Sequence, residues 1–273
     1  MELRTYAEVV AALAEPALVP VPPAESPQAA PDAVGTAAWL RAQVARFAHG
    51  SEHARRRAVI EAELARIDPG ALRKAAAADG LGDLDPRARS AFVLAGALGL
   101  ADPGSAAADV GLVSAVYFGR DSVEADAAVA RLVAAFAEVP GPSSPEEIAN
   151  RVSILIQAHE ATGSLVERAA KHMTDGADAA DVDAVIRETL RHDPPLLTMR
   201  RTALRATCVA GVDIAEGDLV TLDIAAANRD GDTSAPVLTF GSEPRRCPGE
   251  AHALALAAGI LASTTANEKD GRP

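Results

Sequence analysis

Aromatic rings are scarce in this sequence. Five Phe, two Tyr and one Trp make up only 3% of the chain, so a core has to be assembled from Ala, Val and Leu. Ala and Leu rank high in helix propensity, and a mainly α fold is expected. Cysteine is rarer still. Cys208 and Cys247 are the two present, which excludes a disulfide framework. No uninterrupted apolar run reaches the length needed to cross a bilayer. The opening stretch MELRTYAEVVAALAEP mixes charges with its apolar residues, unlike a signal peptide. A cytoplasmic protein with no membrane partner is expected. Positive charge is in deficit, with 26 Lys+Arg against 38 Asp+Glu and a net charge of −12. A phosphate backbone would be repelled, so nucleic acid is not an expected partner. Internal repeats are absent, and 18 Pro with 20 Gly interrupt the chain too often for one long coiled coil.

What is present points elsewhere. The 273 residues suffice to bury a core, and a single domain over 1–273 is expected, with 1–36 irregular and 264–273 a frayed tail. The few arginines cluster at Arg55-Arg56-Arg57, Arg200-Arg201 and Arg245-Arg246. Cationic pockets on an acidic protein suit a small anionic ligand better than a polyanion.

Along the chain, helical patterning runs from Ala37 to Ala65 with a break at AHGSEH, and returns at Ala91–Leu100 and Val123–Val139. RIDPGAL and GLGDLDPRAR read as turns. Ser144-Pro145-Glu146-Glu147 is a capping box with proline at the first helical position, and Ile148, Val152, Leu155, Ile156 and His159 follow at helical spacing. That helix is expected to reach about Met173. DVDAVIRETLRHDPP is a further helix ending at its prolines. Short apolar runs around Gly211 and Gly217 predict a small antiparallel β unit near 200–225, and AHALALAAGILA is a final helix.

Most special residues crowd into FGSEPRRCPGE, Phe240–Glu250. A cysteine just before a helix, with arginines beside it, suggests a thiolate, because helix N-termini and cations both lower a thiol pKa. The alternative is a buried structural cysteine.

The order F-G-x-x-x-R-x-C-x-G at Phe240, Gly241, Arg245, Cys247 and Gly249 resembles the haem-binding loop of the cytochrome P450 family. The resemblance implies that Cys247 is the axial thiolate ligand of haem iron. It implies that Arg245 pairs with a haem propionate, that Phe240 packs beside the sulfur and that Gly249 belongs to the cofactor loop. Glu188-Thr189-Leu190-Arg191 matches the family's E-x-x-R helix, whose i, i+3 spacing lets Glu188 and Arg191 pair. Arg201 aligns with a propionate-binding arginine that enters the β unit, with Arg200 as its neighbour. His53-Ala54-Arg55-Arg56-Arg57 is similar to the H-x-x-x-R helix, making His53 and Arg57 propionate partners. QAHEATGSL resembles the oxygen-side helix: Ala158 stands at its glycine position, Glu160 at its acid and Ala161 at its threonine. Thr162 carries the neighbouring hydroxyl, about 100° further round the helix.

The chain also departs from the family. It is shorter than a usual member, and much of the N-terminal sheet is expected to be missing. After Ala227-Asn228-Arg229-Asp230, read as a turn, the long meander and its arginine are absent, leaving Arg229 as the candidate third member of the E-R-R triad. Glu243 replaces a loop glycine, and Pro248 removes one N–H donor.

The resemblance implies a truncated cytochrome P450-like fold, mainly α with a small β unit, of bacterial type. It implies a haem-thiolate oxidoreductase carrying haem b and acting on a small specialised metabolite, with a ferredoxin-type electron donor. Ala161 leaves monooxygenation, peroxide-driven oxidation, dehydration and rearrangement all open. The alternative is a non-catalytic auxiliary protein that binds or activates a partner enzyme. A shortened fold would expose haem edges, which a homodimer would cover.

Overall fold

The computed structural model of the protein describes residues 1–23, 33–119, 121–141, 143–173, 179–230, 232 and 234–269. Its helices are α1 (Tyr6–Ala14), α2 (Ala37–Gln43), α3 (Gly50–Leu64), α4 (Pro69–Ala76), α5 (Pro86–Ala97), α6 (Pro103–Ser114), α7 (Val123–Ala137), α8 (Pro145–Ala170), α9 (Ala179–His192), α10 (Ile224–Asp230) and α11 (Glu250–Lys269). The strands are β1 (Glu2–Leu3), β2 (Leu18–Pro20), β3 (Thr198–Ala203), β4 (Thr207–Val209), β5 (Val212–Ile214) and β6 (Leu219–Asp223). The mainly α expectation holds, with the β unit where the sequence places it.

Four helices start by one device. Asp68-Pro69, Asp85-Pro86, Asp102-Pro103 and Ser144-Pro145 each put an N-cap side chain on the N–H groups of the first turn and a proline inside it. The cap satisfies a donor with no helical partner, and proline has no N–H to waste there. So two Asp-Pro stretches read as turns in the sequence are helix starts, and the third opens α6, which the sequence reading passed over.

The expected irregular N-terminus is ordered in part. Thr5 and Glu8 form a capping box that starts α1, and α1 buries Val9, Ala12 and Leu13. β2 pairs antiparallel with β3, and β1 pairs parallel with β6, giving the order β1-β6-β3-β2. The N-terminal strands expected to be missing are therefore present, short but hydrogen-bonded. Pro20 lies on the edge strand β2, where a missing N–H costs little. At the other end α11 continues to Lys269, past the expected start of fraying at 264. Residues 24–32 and 270–273 lie outside the described residues. Asn228-Arg229-Asp230 is the last part of α10 rather than a turn.

β4 and β5 form a separate hairpin. Its two central residues, Ala210 and Gly211, both have positive φ, 50° and 81°, as a type I′ turn requires. No described helix is long and apolar enough to cross a membrane.

The helices bury a large Ala/Leu/Val core in which α8 is central, and α1 with the sheet buries a second one around Val220, Leu222 and Ile224. Close helix contacts are made at glycine. A Cβ at Gly259 of α11 would lie 2.3 Å from the Arg73 carbonyl oxygen and 2.8 Å from the Ala76 Cβ of α4. Gly259→Ala is therefore expected to cost about 1–3 kcal/mol by forcing α11 off α4. Gly96→Ala, whose Cβ would meet Pro103 at an ordinary 3.6 Å, is expected to stabilise by about 0.5–1 kcal/mol through helix propensity. Urea midpoints of the two variants should move in opposite directions.

Candidate functional site

The site is built from the C-terminus of α9 outward. Asn228 is fully buried. Its amide donates to the Leu190 carbonyl and the Thr239 hydroxyl, and its oxygen accepts from the Leu238 N–H at 2.7 Å. That clamp ties α9, α10 and the 3-10 turn Leu238–Phe240 together. Arg191 reinforces it through the carbonyls of Asn228 (3.0 Å) and Ala235 (2.7 Å). A short connection thus reaches the cysteine loop without a long meander.

Glu188 does not share this network. It is exposed and meets His192, four residues on, at 3.3 Å. The spacing allows Glu188 to face Arg191, but backbone carbonyls draw the guanidinium towards α10. Arg229 donates to the His192 carbonyl at 3.3 Å. It caps the end of α9, and among the described residues Glu188 forms an ion pair with neither Arg229 nor Arg191, so the structure does not bring the three together as an E-R-R triad.

The loop then turns at Gly241, with φ 72°, a value that favours glycine. The Glu243–Pro244 peptide is cis. Arg245 N–H donates to the Ser242 carbonyl, and Cys247 N–H donates to the Phe240 carbonyl at 2.8 Å, which presents the Cys247 side chain just ahead of α11. Phe240 packs against the helical core. Cys247 is solvent-exposed at its surface, yet enough protein surrounds the sulfur that desolvation raises its pKa. The Gly249 N–H and, more weakly, Arg57 and Arg46 pull it down, while Glu250 adds to the rise. The direction is opposite to the lowered value expected from the sequence. The Gly249 N–H and the nearby cations do act as anticipated, but burial outweighs them. Coordination to a metal cation would reverse the balance and hold the sulfur as thiolate.

Cations converge beside this loop. His53 and Arg57 come from α3, Arg201 from β3 and Arg245 from the loop. Arg46 joins them from the connection between α2 and α3. Arg201 is 7% exposed, and among the described residues its guanidinium has the Arg200 carbonyl and the Met199 sulfur as its hydrogen-bond partners. Arg245 donates to the Ala48 carbonyl at 2.6 Å. Arg57 donates to the Arg246 carbonyl and pairs with Glu61, both at 2.6 Å. Burial first, and then the charges of Arg46 and its neighbours, lower Arg201 and Arg245 to about 10. Among the described residues the only carboxylate paired with any of the four guanidiniums is that of Glu61. Buried guanidiniums without carboxylates are costly. A ligand carrying two carboxylates fits them, and haem brings two propionates.

Sequence reasoning missed Arg46. It comes from an irregular connection, where no periodicity or spacing marks a residue as part of a set.

Burial, then Arg245 and Arg57, push His53 down to about 4. An unfolded chain takes up a proton near 6.5, so haem-free protein should lose stability as pH falls from 6.5 to 4. His53→Gln is expected to lose less over that window, by urea midpoints at pH 7 and 4.5.

On α8, Ala158 packs partly buried against the core, while Gln157 and Ala161 are exposed on one face. Glu160 is bound twice by Arg87 of α5, at 2.8 and 2.9 Å, and that contact holds its carboxyl below the usual range. Thr162 is buried, and its hydroxyl has no hydrogen-bond partner among the described residues. The structure places the acid on the surface beside α5 and the hydroxyl inside the helix packing, so it does not bring the two together.

No protein-family model matches the chain. It is 34% identical over 145 residues to erythromycin C-12 hydroxylase of Saccharopolyspora erythraea, covering 50% of this chain and 36% of that protein. It is 32% identical over 129 residues to cytochrome P-450 monooxygenase DoxA of Streptomyces sp. (strain C5), covering 40% and 31%. The matches thus span about a third of these relatives' lengths. Among solved structures, P450BioI in complex with an acyl carrier protein superposes with a TM-score of 0.73 at 19% identity, over 96% of this chain and 83% of that one. A mutant of P450 EryK in complex with erythromycin B gives 0.67 at 21%, over 97% and 82%. Sequence similarity to cytochrome P450 monooxygenases over up to half of the chain thus goes with the fold of solved cytochrome P450 structures over nearly all of it.

Proposed function

We propose that the protein is a haem-thiolate oxidoreductase that binds haem b through Cys247 and acts on a small specialised metabolite. The observation that carries this reading is the set of four guanidiniums with one carboxylate partner among the described residues, gathered beside a cysteine at the start of a helix. Cys247 would hold the metal through its sulfur, with the Gly249 N–H directed at it and Phe240 packed alongside. Arg57, Arg201 and Arg245, with His53, would hold the propionates in bidentate or single contacts. Ala158 would let the oxygen-side helix approach the cofactor plane. Bound haem with a thiolate ligand supplies one-electron and oxygen chemistry that no side chain provides. A separate ferredoxin-type protein would deliver the electrons.

Proton handling is where this chain departs from the usual monooxygenase. Ala161 has no hydroxyl, Glu160 is engaged by Arg87 and Thr162 points into the packing. That arrangement favours reactions that do not depend on a relay along α8, namely peroxide-driven oxidation, dehydration or rearrangement. The same observation supports a second reading, an auxiliary protein that keeps the fold and activates a partner enzyme.

The absorption spectrum of reduced protein with and without carbon monoxide separates the two. A strongly red-shifted Soret band is the expected result. No band after reconstitution with haem would replace the enzyme reading with the auxiliary one.

A further inference from the structure

Arg46 is left over once the propionates are assigned. Four guanidiniums meet one carboxylate, that of Glu61. Two propionates would still leave one positive charge unmatched. Arg46 is the one that is exposed and makes no ion pair among the described residues. Its guanidinium lies 5.6 Å from the centre of the Phe118 ring. At an exposed site such a contact is weaker than a charge-assisted hydrogen bond to an anion.

The surroundings are also unusual for this chain. Phe47, Tyr117 and Phe118 are in mutual ring contact, with centroids 5.3–6.3 Å apart. In a sequence with five Phe and two Tyr, three rings in one place are a built wall. Phe118 is 66% exposed and Tyr117 only 2%. The Tyr117 hydroxyl is buried and has no hydrogen-bond partner among the described residues. A buried hydroxyl without a partner is expensive, unless something else supplies the acceptor. Burial raises the phenol's pKa, so it remains an O–H donor, and Arg46 is close enough to oppose that rise.

We propose that Arg46 and the Tyr117 hydroxyl, walled by Phe47 and Phe118, bind an anionic group on the substrate, so that the substrate class is a flat apolar carboxylate. The proposal rests on the haem reading, because only with two propionates in place is one guanidinium in excess.

The test uses haem-loaded protein, with biphenyl-4-carboxylate and its methyl ester as probes, followed by isothermal titration calorimetry. The acid is expected to bind about tenfold more tightly than the ester, as one charged hydrogen bond implies. Arg46→Gln should bring the acid to the level of the ester with haem content unchanged. Tyr117→Phe should weaken the acid several-fold and leave the ester alone. Equal affinities for acid and ester, or no binding of either, would overturn the proposal while leaving the haem reading intact. Loss of haem in Arg46→Gln would also overturn it, by assigning Arg46 to a propionate. Failure of the wild-type protein to take up haem would remove both.

Discussion

An Arg151→Ala protein is expected to lose about 3–5 kcal/mol of folding stability, the usual consequence of removing one partner from a buried ion pair. Arg151 is fully buried in α8, and Glu63 of α3 is nearly so. Arg151 Nε donates to Glu63 Oε2 at 3.1 Å, and its Nη1 lies 3.5 and 3.4 Å from the carbonyl oxygens of Phe136 and Val139. Its guanidinium also lies 5.0 Å from the centre of the Phe136 ring. One side chain therefore joins α3, α8 and the end of α7. Without it, Glu63 keeps only Arg66 at 3.3 Å, itself 61% exposed. Total stabilities are about 5–15 kcal/mol, so this loss is a large share. Glu63→Ala should cost at least as much, since it strands a buried cation. An Arg151→Met, Glu63→Leu double variant should recover much of the loss, because two apolar groups leave no charge unpaired. Urea unfolding reads all three as shifts of midpoint at constant slope. A single variant within about 0.5 kcal/mol of wild type would show that the pair is not the lock described. The pair also bears on the site, because it fixes α3, which carries His53 and Arg57, against α8.

Cys247→Ser should remove the red-shifted band of the reduced carbon monoxide complex completely. A serine hydroxyl stays protonated and cannot donate as a thiolate does. Stability of the haem-free protein should change by no more than about 0.5 kcal/mol, because the residue is exposed and its backbone bond to Phe240 is kept. Cys208→Ser, in the β4–β5 hairpin, should leave the spectrum untouched. A Cys247→Ser protein that keeps the band would mean that another group ligates the metal. The contrast between the two serine variants separates a specific ligand from general damage.

Several parts of this protein were legible in the chain alone because they are written over short stretches. The Ser144 capping box and the helix it opens depend on neighbours within a few turns. So does the placement of Cys247 ahead of α11. The Asp-Pro helix starts were equally local, and they were misread because the same pair serves turns and N-caps. The cations on α3, β3 and the cysteine loop could be picked out in the chain only through separate motifs that resemble the family's.

Other parts were not legible, because they depend on which distant residues share one space. Glu63 and Arg151 look like ordinary surface charges in the sequence, and only the packing of α3 on α8 buries both. Glu160 aligns by resemblance with the acid of an oxygen-side helix, but α5 brings Arg87 to it. Glu188 and Arg191 are spaced to pair, yet the carbonyls of α10 and of the segment after it claim the arginine.

The sequence by itself determined the helical character and the resemblance that singles out Cys247, since both follow from local pattern and residue order. Only the tertiary structure decided that Arg46 lies over the Phe118 ring beside Tyr117, that Glu160 is tied to Arg87 and that the thiol is pushed up. Charge and burial act through space, and the neighbours that set them lie far apart along the chain.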